Sequence, residues 1–121
     1  MKVAGFGFRQ AATVTALQDA LDQLIERHGP VDRLAVAESM LPLVRALANG
    51  LALPVIPVAD DELSGIETPT QSVASRQVKG AGSVAEAVAL LGAGPGSRLL
   101  GPRLVSGDRM ATAAMAEGVT P

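Results

Sequence analysis

Residues 78–92 read Val78-Lys79-Gly80-Ala81-Gly82-Ser83-Val84-Ala85-Glu86-Ala87-Val88-Ala89-Leu90-Leu91-Gly92, a glycine-rich loop that leads directly into an apolar, alanine-rich stretch. Ser83 and Glu86 have the S-x-x-E spacing of a capping box, in which each side chain accepts a hydrogen bond from the other residue's backbone N–H. This spacing predicts a helix that begins at Ser83. Gly80 and Gly82 let the backbone approach a ligand closely, and the free amide groups of a helix N-terminus favour an anion. A simple turn between two helices is the alternative, and it is favoured by Glu86, which already occupies part of that N-terminus with negative charge.

Composition limits the classes of partner. The chain has 121 residues, a length typical of one domain with a single hydrophobic core. It has no tyrosine or tryptophan and a net charge of −2, so it offers neither stacking platforms nor excess positive charge to a nucleic acid. No apolar run reaches the roughly 20 residues that span a bilayer, and the apolar N-terminal run is too short for a signal peptide. We therefore expect no nucleic-acid partner, no membrane association and a cytoplasmic location.

Metal and nucleotide sites are both disfavoured. The chain has no cysteine and one histidine, His28, so disulfides, thiolate chemistry and the common zinc ligand sets are excluded. The acidic run 60–62 fits a solvated turn better than a metal site, because its carboxylates do not share one face. Gly5-x-Gly7 before a helix is similar to a dinucleotide-binding loop, but Gln10 replaces the third glycine. We expect no metal ion and no cofactor.

Charge is unevenly distributed along the chain. Residues 68–121 carry three acidic residues against five basic ones, Arg76, Lys79, Arg98, Arg103 and Arg109. A solvated surface accounts for such a bias in most proteins, and a small polyanionic ligand also favours it.

Strand and helix patterns alternate along the chain. Short apolar runs predict strands near residues 2–8, 34–37, 54–58 and 98–101. Apolar residues at helical spacing and helix-start signals predict helices over 13–28, 41–48 and 69–78 as well as the one from Ser83. Residues 110–115 fit either an alanine-rich helix or the last strand of a hairpin, and the preceding Ser-Gly-Asp turn slightly favours the hairpin. We predict a single three-layer α/β domain over residues 1–121, with a mostly parallel sheet flanked by helices and a C-terminal antiparallel hairpin strand.

Several positions carry more specific expectations. The long helix 13–28 is expected to pack through Leu17, Leu21, Leu24 and Ile25. Asn49-Gly50 is expected to end the helix that begins near Leu41. Two prolines in the strand 54–58 indicate either an edge position or a strand paired mainly through its other residues, because proline cannot donate to a ladder. Gly5 and Gly7 alternate in the first strand and leave one of its faces bare, so that a helix or a ligand can approach it closely.

Four stretches taken together resemble the cobalamin-biosynthesis family of CobE and the C-terminal domain of CbiG. They are Gly5-x-Gly7-x-Arg9, Gly50-Leu51-x-Leu53-Pro54, the loop and helix from Gly80 to Leu91, and Gly101-Pro102-Arg103. Where the family often reads Gly-x-Gly-Cys-Arg-Arg-Gly, this chain has Phe8, Gln10 and Ala11, so Arg9 is the basic group of that stretch. The lysine often found after the second strand is not apparent around residues 37–40, and Arg103 stands where a lysine is usual.

The resemblance implies a protein of the aerobic corrin pathway that binds a precorrin, a macrocycle rimmed with acetate and propionate carboxylates. Ligands of open parallel sheets usually bind beyond the carboxyl ends of the strands. The residues expected along that rim are Arg9, Glu38, Lys79, Gly80, Gly82, Ser83 and Arg103. Arginine suits carboxylates because its guanidinium can bind them in bidentate fashion. The expected activity is binding and hand-over of the intermediate, and other proteins of the pathway are candidate partners.

Two alternatives stay open. Longer relatives act as cobalt-precorrin-5A hydrolase, which opens a lactone and releases a two-carbon aldehyde, and in such a role Glu38 or Glu86 is the candidate general base. Lys79 or the helix amide groups would then stabilise the oxyanion. A non-catalytic module that pairs with a separate chain is the other alternative. No Ser-His-Asp set supports catalysis, because the single histidine lies at the end of a predicted helix.

Overall fold

The computed structural model describes residues 1–59 and 83–118. In chain order its elements are β1 (Lys2–Phe8), α1 (Val14–His28), β2 (Arg33–Ala37), a 3-10 turn (Glu38–Met40), α2 (Leu41–Leu51), β3 (Val55–Val58), α3 (Ser83–Ala93), β4 (Arg98–Leu99), β5 (Leu104–Val105) and β6 (Ala111–Glu117). The acidic run 60–62, the predicted helix 69–78 and the loop 79–82 lie outside the described residues. None of the helices in the described ranges combines the length and the apolar character needed to cross a bilayer.

The described strands form one sheet, in which the order is β3-β2-β1-β6-β4 and β5 also pairs with β6. β1, β2 and β3 pair in parallel, whereas β6 runs antiparallel to β1, β4 and β5. The prediction of a mostly parallel sheet is therefore confirmed, and the proline-containing strand β3 lies at an edge among the strands of residues 1–59 and 83–118. Residues 110–115 belong largely to a strand, as the hairpin interpretation predicted. This strand lies inside the sheet, paired with β1 along its whole length.

The larger core fills the space between the sheet and the helices α1 and α2. Phe6 from β1 packs there with Leu17, Leu21 and Leu24 from α1, and all four side chains are fully buried. Thr13 caps α1, since its hydroxyl accepts a hydrogen bond from the backbone N–H of Ala16 at 3.2 Å. These contacts confirm most of the predicted apolar stripe.

Two details of the helices differ from the prediction. Ile25 is 37 % exposed, so it lies at the margin of the α1 stripe and not in the core. The helix α2 runs through Asn49 and Gly50 to Leu51 and ends where Ala52 adopts a left-handed conformation with φ 58°. The predicted Asn49-Gly50 cap is therefore wrong, because a non-glycine residue takes the conformation that usually selects glycine.

The helix α3 packs on the opposite face of the sheet at unusually close range. A Cβ atom added to Gly5 would lie 2.5 Å from the carbonyl oxygen of Ala85 and would also overlap the backbone of Ala89. A Cβ atom added to Gly92 would lie 2.7 Å from the Cβ of Ala35. The bare face predicted for β1 therefore receives a helix, and the glycine and alanine side of α3 sets its distance from the sheet.

Candidate functional site

The carboxyl ends of β1 and β2 lie side by side, because Phe6 pairs with Val36 and both strands end shortly after this pair. Arg9 follows β1 directly and is exposed. Its backbone N–H donates to the carbonyl of Met110 at 2.9 Å, and its own carbonyl accepts from Ala12 N at 2.9 Å. Glu38 is the first residue after β2 and is also exposed. The structure thus places these two predicted site residues at one edge of the sheet.

The first turn of α3 lies at the same end of β1. A Cβ atom on Gly7 would lie 3.3 Å from Ala85 N and 3.4 Å from the Cβ of Val84, so this turn covers the last residues of the strand. The predicted start of the helix at Ser83 is confirmed. The side chain of Ser83 lies outside the described part of the structure, and the capping box with Glu86 stays a prediction. The positive end of the helix dipole therefore lies beside Gly7, which is two residues before Arg9 in the chain.

Glu86, which lies in the same turn, is in direct contact with Arg103. Glu86 is fully buried, with 0 % exposure, and its Oε2 accepts a hydrogen bond from the backbone N–H of Arg103 at 3.1 Å. Arg103 is half-buried, and among the described residues its Nε is a buried donor without a hydrogen-bond partner. Two residues singled out from the sequence are thus brought together, although no local pattern links them.

Arg103 was expected beyond the carboxyl end of a strand, and its position in the structure differs from that expectation. The backbone N–H of Leu100 still bonds to the carbonyl of Met115 at 2.9 Å, whereas Leu104 pairs with Ala113 as the first residue of β5. Arg103 therefore lies in the short segment that separates β4 from β5 along β6. Since Ala113 also pairs with Phe6, this segment is level with the middle of β1. The contact with Glu86 joins it to the first turn of α3.

Lys79, Gly80 and Gly82 lie outside the described residues, so their proposed part in the site stays a prediction. They directly precede the described start of α3 in the sequence.

The structure contains a cleft that the sequence did not indicate, and the sequence neighbours of Arg9 contribute to its lining. Its volume is about 400 Å³, and it is lined by Phe8, Gln10, Ala12, Ser39, Met40, Pro42 and Leu43. These residues come from the end of β1 and from the 3-10 turn and α2 that follow β2. The one available signal was their position just after two predicted strands. The cleft offers mostly apolar surface with two polar side chains.

The loop between β5 and β6 lies at the same edge of the sheet as Arg9. The Ser106 hydroxyl donates to Asp108 Oδ1 at 2.6 Å, and the backbone N–H of Gly107 donates to Asp19 Oδ2 at 2.6 Å. The hydrogen bond from Ser106, and then that from the backbone of Met110, holds the pKa of Asp108 below its ordinary value. Arg109 has a positive φ of 62° and directly precedes Met110, whose carbonyl accepts the hydrogen bond from Arg9.

His28 lies away from this edge. Lys2 Nζ donates to the carbonyl oxygen of His28 at 2.6 Å, which places this histidine near the start of β1. Burial lowers the pKa of His28, and the charges of Arg27 and Lys2 lower it further. Within the described ranges, no three histidine, aspartate or glutamate side chains are grouped so that they could hold a metal ion.

The fold is a three-layer α/β domain, and the edge of its sheet at the carboxyl ends of the parallel strands is a candidate small-molecule site. The family model described as "Cobalamin synthesis G C-terminus" matches residues 2–116, and the chain belongs to this family of cobalamin-biosynthesis proteins. The resemblance stated from the sequence is thereby confirmed.

Several solved structures are similar to the chain, among them these three. The cobalamin biosynthesis protein chiG from Agrobacterium tumefaciens str. C58 has a TM-score of 0.76 and 34 % identity, over 99 % of this chain and 100 % of that one. CobE, a protein from the cobalamin (vitamin B12) biosynthetic pathway, has a TM-score of 0.76 and 30 % identity, over 100 % of this chain and 92 % of that one. A cobalamin biosynthesis protein G homolog from Sulfolobus solfataricus has 20 % identity and a TM-score of 0.74 over 95 % of this chain and 36 % of that one, and it shows the fold alone. No curated protein matches the sequence.

Proposed function

We propose that this domain binds a corrin-ring intermediate of cobalamin biosynthesis at the carboxyl edge of its sheet, through the carboxylates on the rim of the ring. The observation that carries the proposal is the position of the first turn of α3. This turn lies against Gly7, two residues before Arg9, and it contacts Arg103 through Glu86. The first turn of α3 thus lies between the end of β1, which Arg9 follows, and the segment that holds Arg103.

The chemistry of these groups suits a polycarboxylate. Guanidinium groups bind carboxylates through two parallel N–H donors, and a helix N-terminus favours negative charge. The cleft beside Phe8 and Met40 adds apolar surface, which suits the methylated part of a macrocycle. A ring that overlies the edge can contact the cleft with its apolar part and the arginines with its carboxylates. In this proposal Glu38 lies on the same rim, and the loop with Lys79, Gly80 and Gly82 precedes the turn that receives the anion.

Hydrolysis of a lactone is less well supported by the same contacts. A general base must reach the proton that it abstracts, directly or through one water molecule. Glu86 is fully buried and accepts a backbone hydrogen bond from Arg103, so it is poorly placed for this role. We therefore favour binding and hand-over to other proteins of the pathway, in the cytoplasm, over turnover by this domain alone.

An absorption titration tests the proposal. The probe is cobyrinic acid, a corrin with free acetate and propionate carboxylates, and the comparison ligand is cobinamide, whose ring carries amides in their place. We expect cobyrinic acid to bind with a change in its spectrum, and to bind more weakly as salt is raised. Binding of neither corrin would refute the proposal. Multiple turnovers with a lactone-bearing precorrin would favour the hydrolase alternative.

Arg9→Ala and Arg33→Ala form a matched pair for this titration. Both arginines are exposed at strand ends, but Arg33 begins β2 and therefore lies at the opposite edge of the sheet. Arg9→Ala should weaken the binding of cobyrinic acid about tenfold, the low end for a charge-assisted hydrogen bond because the site is exposed. Arg33→Ala should leave it unchanged. Equal losses in the two variants would point to net charge alone and would remove the proposed site.

A further inference from the structure

We infer that Glu86 is a positioning residue, which holds Arg103 ready to bind a carboxylate of the ligand. This inference rests on the proposed function, and it assigns to Glu86 a role different from that of a general base. Three observations support it: the burial of Glu86, its bond to the backbone of Arg103, and the unpaired Nε of the same arginine.

The bond from Arg103 N to Glu86 Oε2 anchors a segment that leaves the regular ladder. Leu100 is the last residue bonded to β6 before the segment, and Leu104 is the first residue paired with β6 after it. Pro102 has no backbone N–H, so the amide of Arg103 is the first donor that follows it. A buried carboxylate accepts such a donor strongly, because the surrounding dielectric is low. Glu86 therefore determines where the main chain of Arg103 lies relative to the first turn of α3.

The guanidinium of Arg103 is not fully paired in this arrangement. Its Nε is buried and has no hydrogen-bond partner in residues 1–59 and 83–118. Buried donors are rarely left unpaired in native proteins, so this one calls for an explanation, and a ligand carboxylate is the partner that the proposed site supplies. Arg103 is half-buried as a whole, and a change of side-chain rotamer on binding is common at recognition sites. A ligand carboxylate that draws the guanidinium outward would pair Nε and one Nη together.

The charge of Glu86 opposes the ligand even while its oxygen holds the arginine. For a ligand carboxylate roughly 7 Å from Glu86, a unit charge changes affinity by about threefold in water and by more where Glu86 is buried, because screening is weaker there. Glu86→Gln keeps an acceptor oxygen for Arg103 N and removes the charge. It should therefore bind the anionic ligand at least about threefold more tightly than the wild type. Glu86→Ala removes the acceptor and should weaken binding about as much as Arg103→Ala does.

The test is a titration of the full chain with cobyrinic acid and with cobinamide, after circular dichroism and thermal unfolding have shown that each variant is folded. Arg103→Ala and Glu86→Ala should each weaken the binding of cobyrinic acid about tenfold and leave that of cobinamide unchanged. Arg98→Ala is the matched control, because Arg98 lies on β4 and pairs with Glu117 at 3.5 Å. It should not change either affinity.

A double-mutant cycle decides whether Glu86 acts through Arg103, and Glu86→Gln alone supplies the test if Glu86→Ala does not fold. The loss caused by Glu86→Ala should become smaller in the Arg103→Ala background, because no arginine side chain is left there to position. An unchanged effect, or a Glu86→Gln loss as large as that of Arg103→Ala, would overturn the inference. Wild-type binding of cobyrinic acid that neither Arg103→Ala nor Glu86→Ala weakens would refute the inference and leave the proposed function intact. Failure of the wild type to bind either corrin would refute both.

Discussion

Gly5→Ala is the substitution for which the structure predicts the clearest effect. The added Cβ would lie 2.5 Å from the carbonyl oxygen of Ala85, whereas ordinary contacts of this kind begin at 3.4 Å. The atoms in its way belong to the backbone of α3 and not to the flexible end of a side chain, so the helix must retreat by about 0.9 Å. A retreat of that size removes much of the dispersion energy between α3 and the sheet. Overpacking typically costs 1–3 kcal/mol, and we expect about 3 kcal/mol here.

Gly50→Ala is the control for this substitution. Gly50 lies in α2, and nothing lies within 4 Å of an added Cβ. Alanine there should stabilise the protein by up to about 1 kcal/mol, because glycine is the poorer helix former. Urea unfolding followed by circular dichroism measures both variants. With an m-value of about 1.5 kcal/mol/M, Gly5→Ala should lower the midpoint by about 2 M. An unchanged midpoint would show that α3 does not depend on the bare face of β1.

Three further predictions concern stability and pH. Leu21→Ala should lower the free energy of unfolding by roughly 2–5 kcal/mol because Leu21 is fully buried, whereas Leu51→Ala, at a side chain 36 % exposed, should cost much less in the same urea assay. Thr13→Ala should cost about 1 kcal/mol in that assay, since it removes the cap of α1. The lowered pKa of Asp108 means that its contribution to stability is complete above the pKa of the unfolded chain and is lost as pH falls through the folded pKa. Ser106→Ala should raise the pKa of Asp108 toward its ordinary value in an NMR titration of the carboxyl carbon, and no change would show that the hydroxyl does not stabilise the carboxylate.

Local patterns were sufficient to predict most of the elements. The helical spacing of Leu17, Leu21 and Leu24 predicted the packed face of α1, because that spacing places them on one side of the helix. It could not define the edge of that face, and Ile25 proved to lie at its margin. The left-handed Ala52 was not predictable, since the residue type gives no sign of a positive φ.

β6 shows how tertiary pairing overrides local propensity. Its sequence Ala111–Glu117 is rich in alanine, which favours a helix in isolation. In the fold it pairs with β1 from Lys2 to Phe8. Its alanines are divided between the face of the sheet covered by α1 and α2 and the face covered by α3. Their small side chains suit both faces of a covered sheet. That choice depends on partners far away in the sequence, so the residues of β6 alone could not decide it.

Only part of the candidate site was predictable from the sequence. Arg9 and Glu38 directly follow predicted strands, so their place at one edge follows from the parallel pairing of β1 and β2. The contact between Glu86 and Arg103 and the neighbourhood of Arg9 and Met110 depend on how α3 and β6 are placed against β1. Long-range register determines both, and a single sequence contains no direct record of it.

One structural feature links the stability of the domain to its candidate site. Gly5 and Gly7 allow α3 to approach β1 until backbone meets backbone, and the small side chains of Ala85 and Ala89 complete this contact. Because α3 is one continuous helix, the same contact determines where its first turn lies at the end of β1. Glu86 is in that turn, so the backbone of Arg103 is positioned by the packing of the helix as well as by its hydrogen bond. The glycines of β1 therefore serve binding indirectly: a substitution that lifts the helix moves the helix N-terminus and the anchor of Arg103 together, away from Arg9.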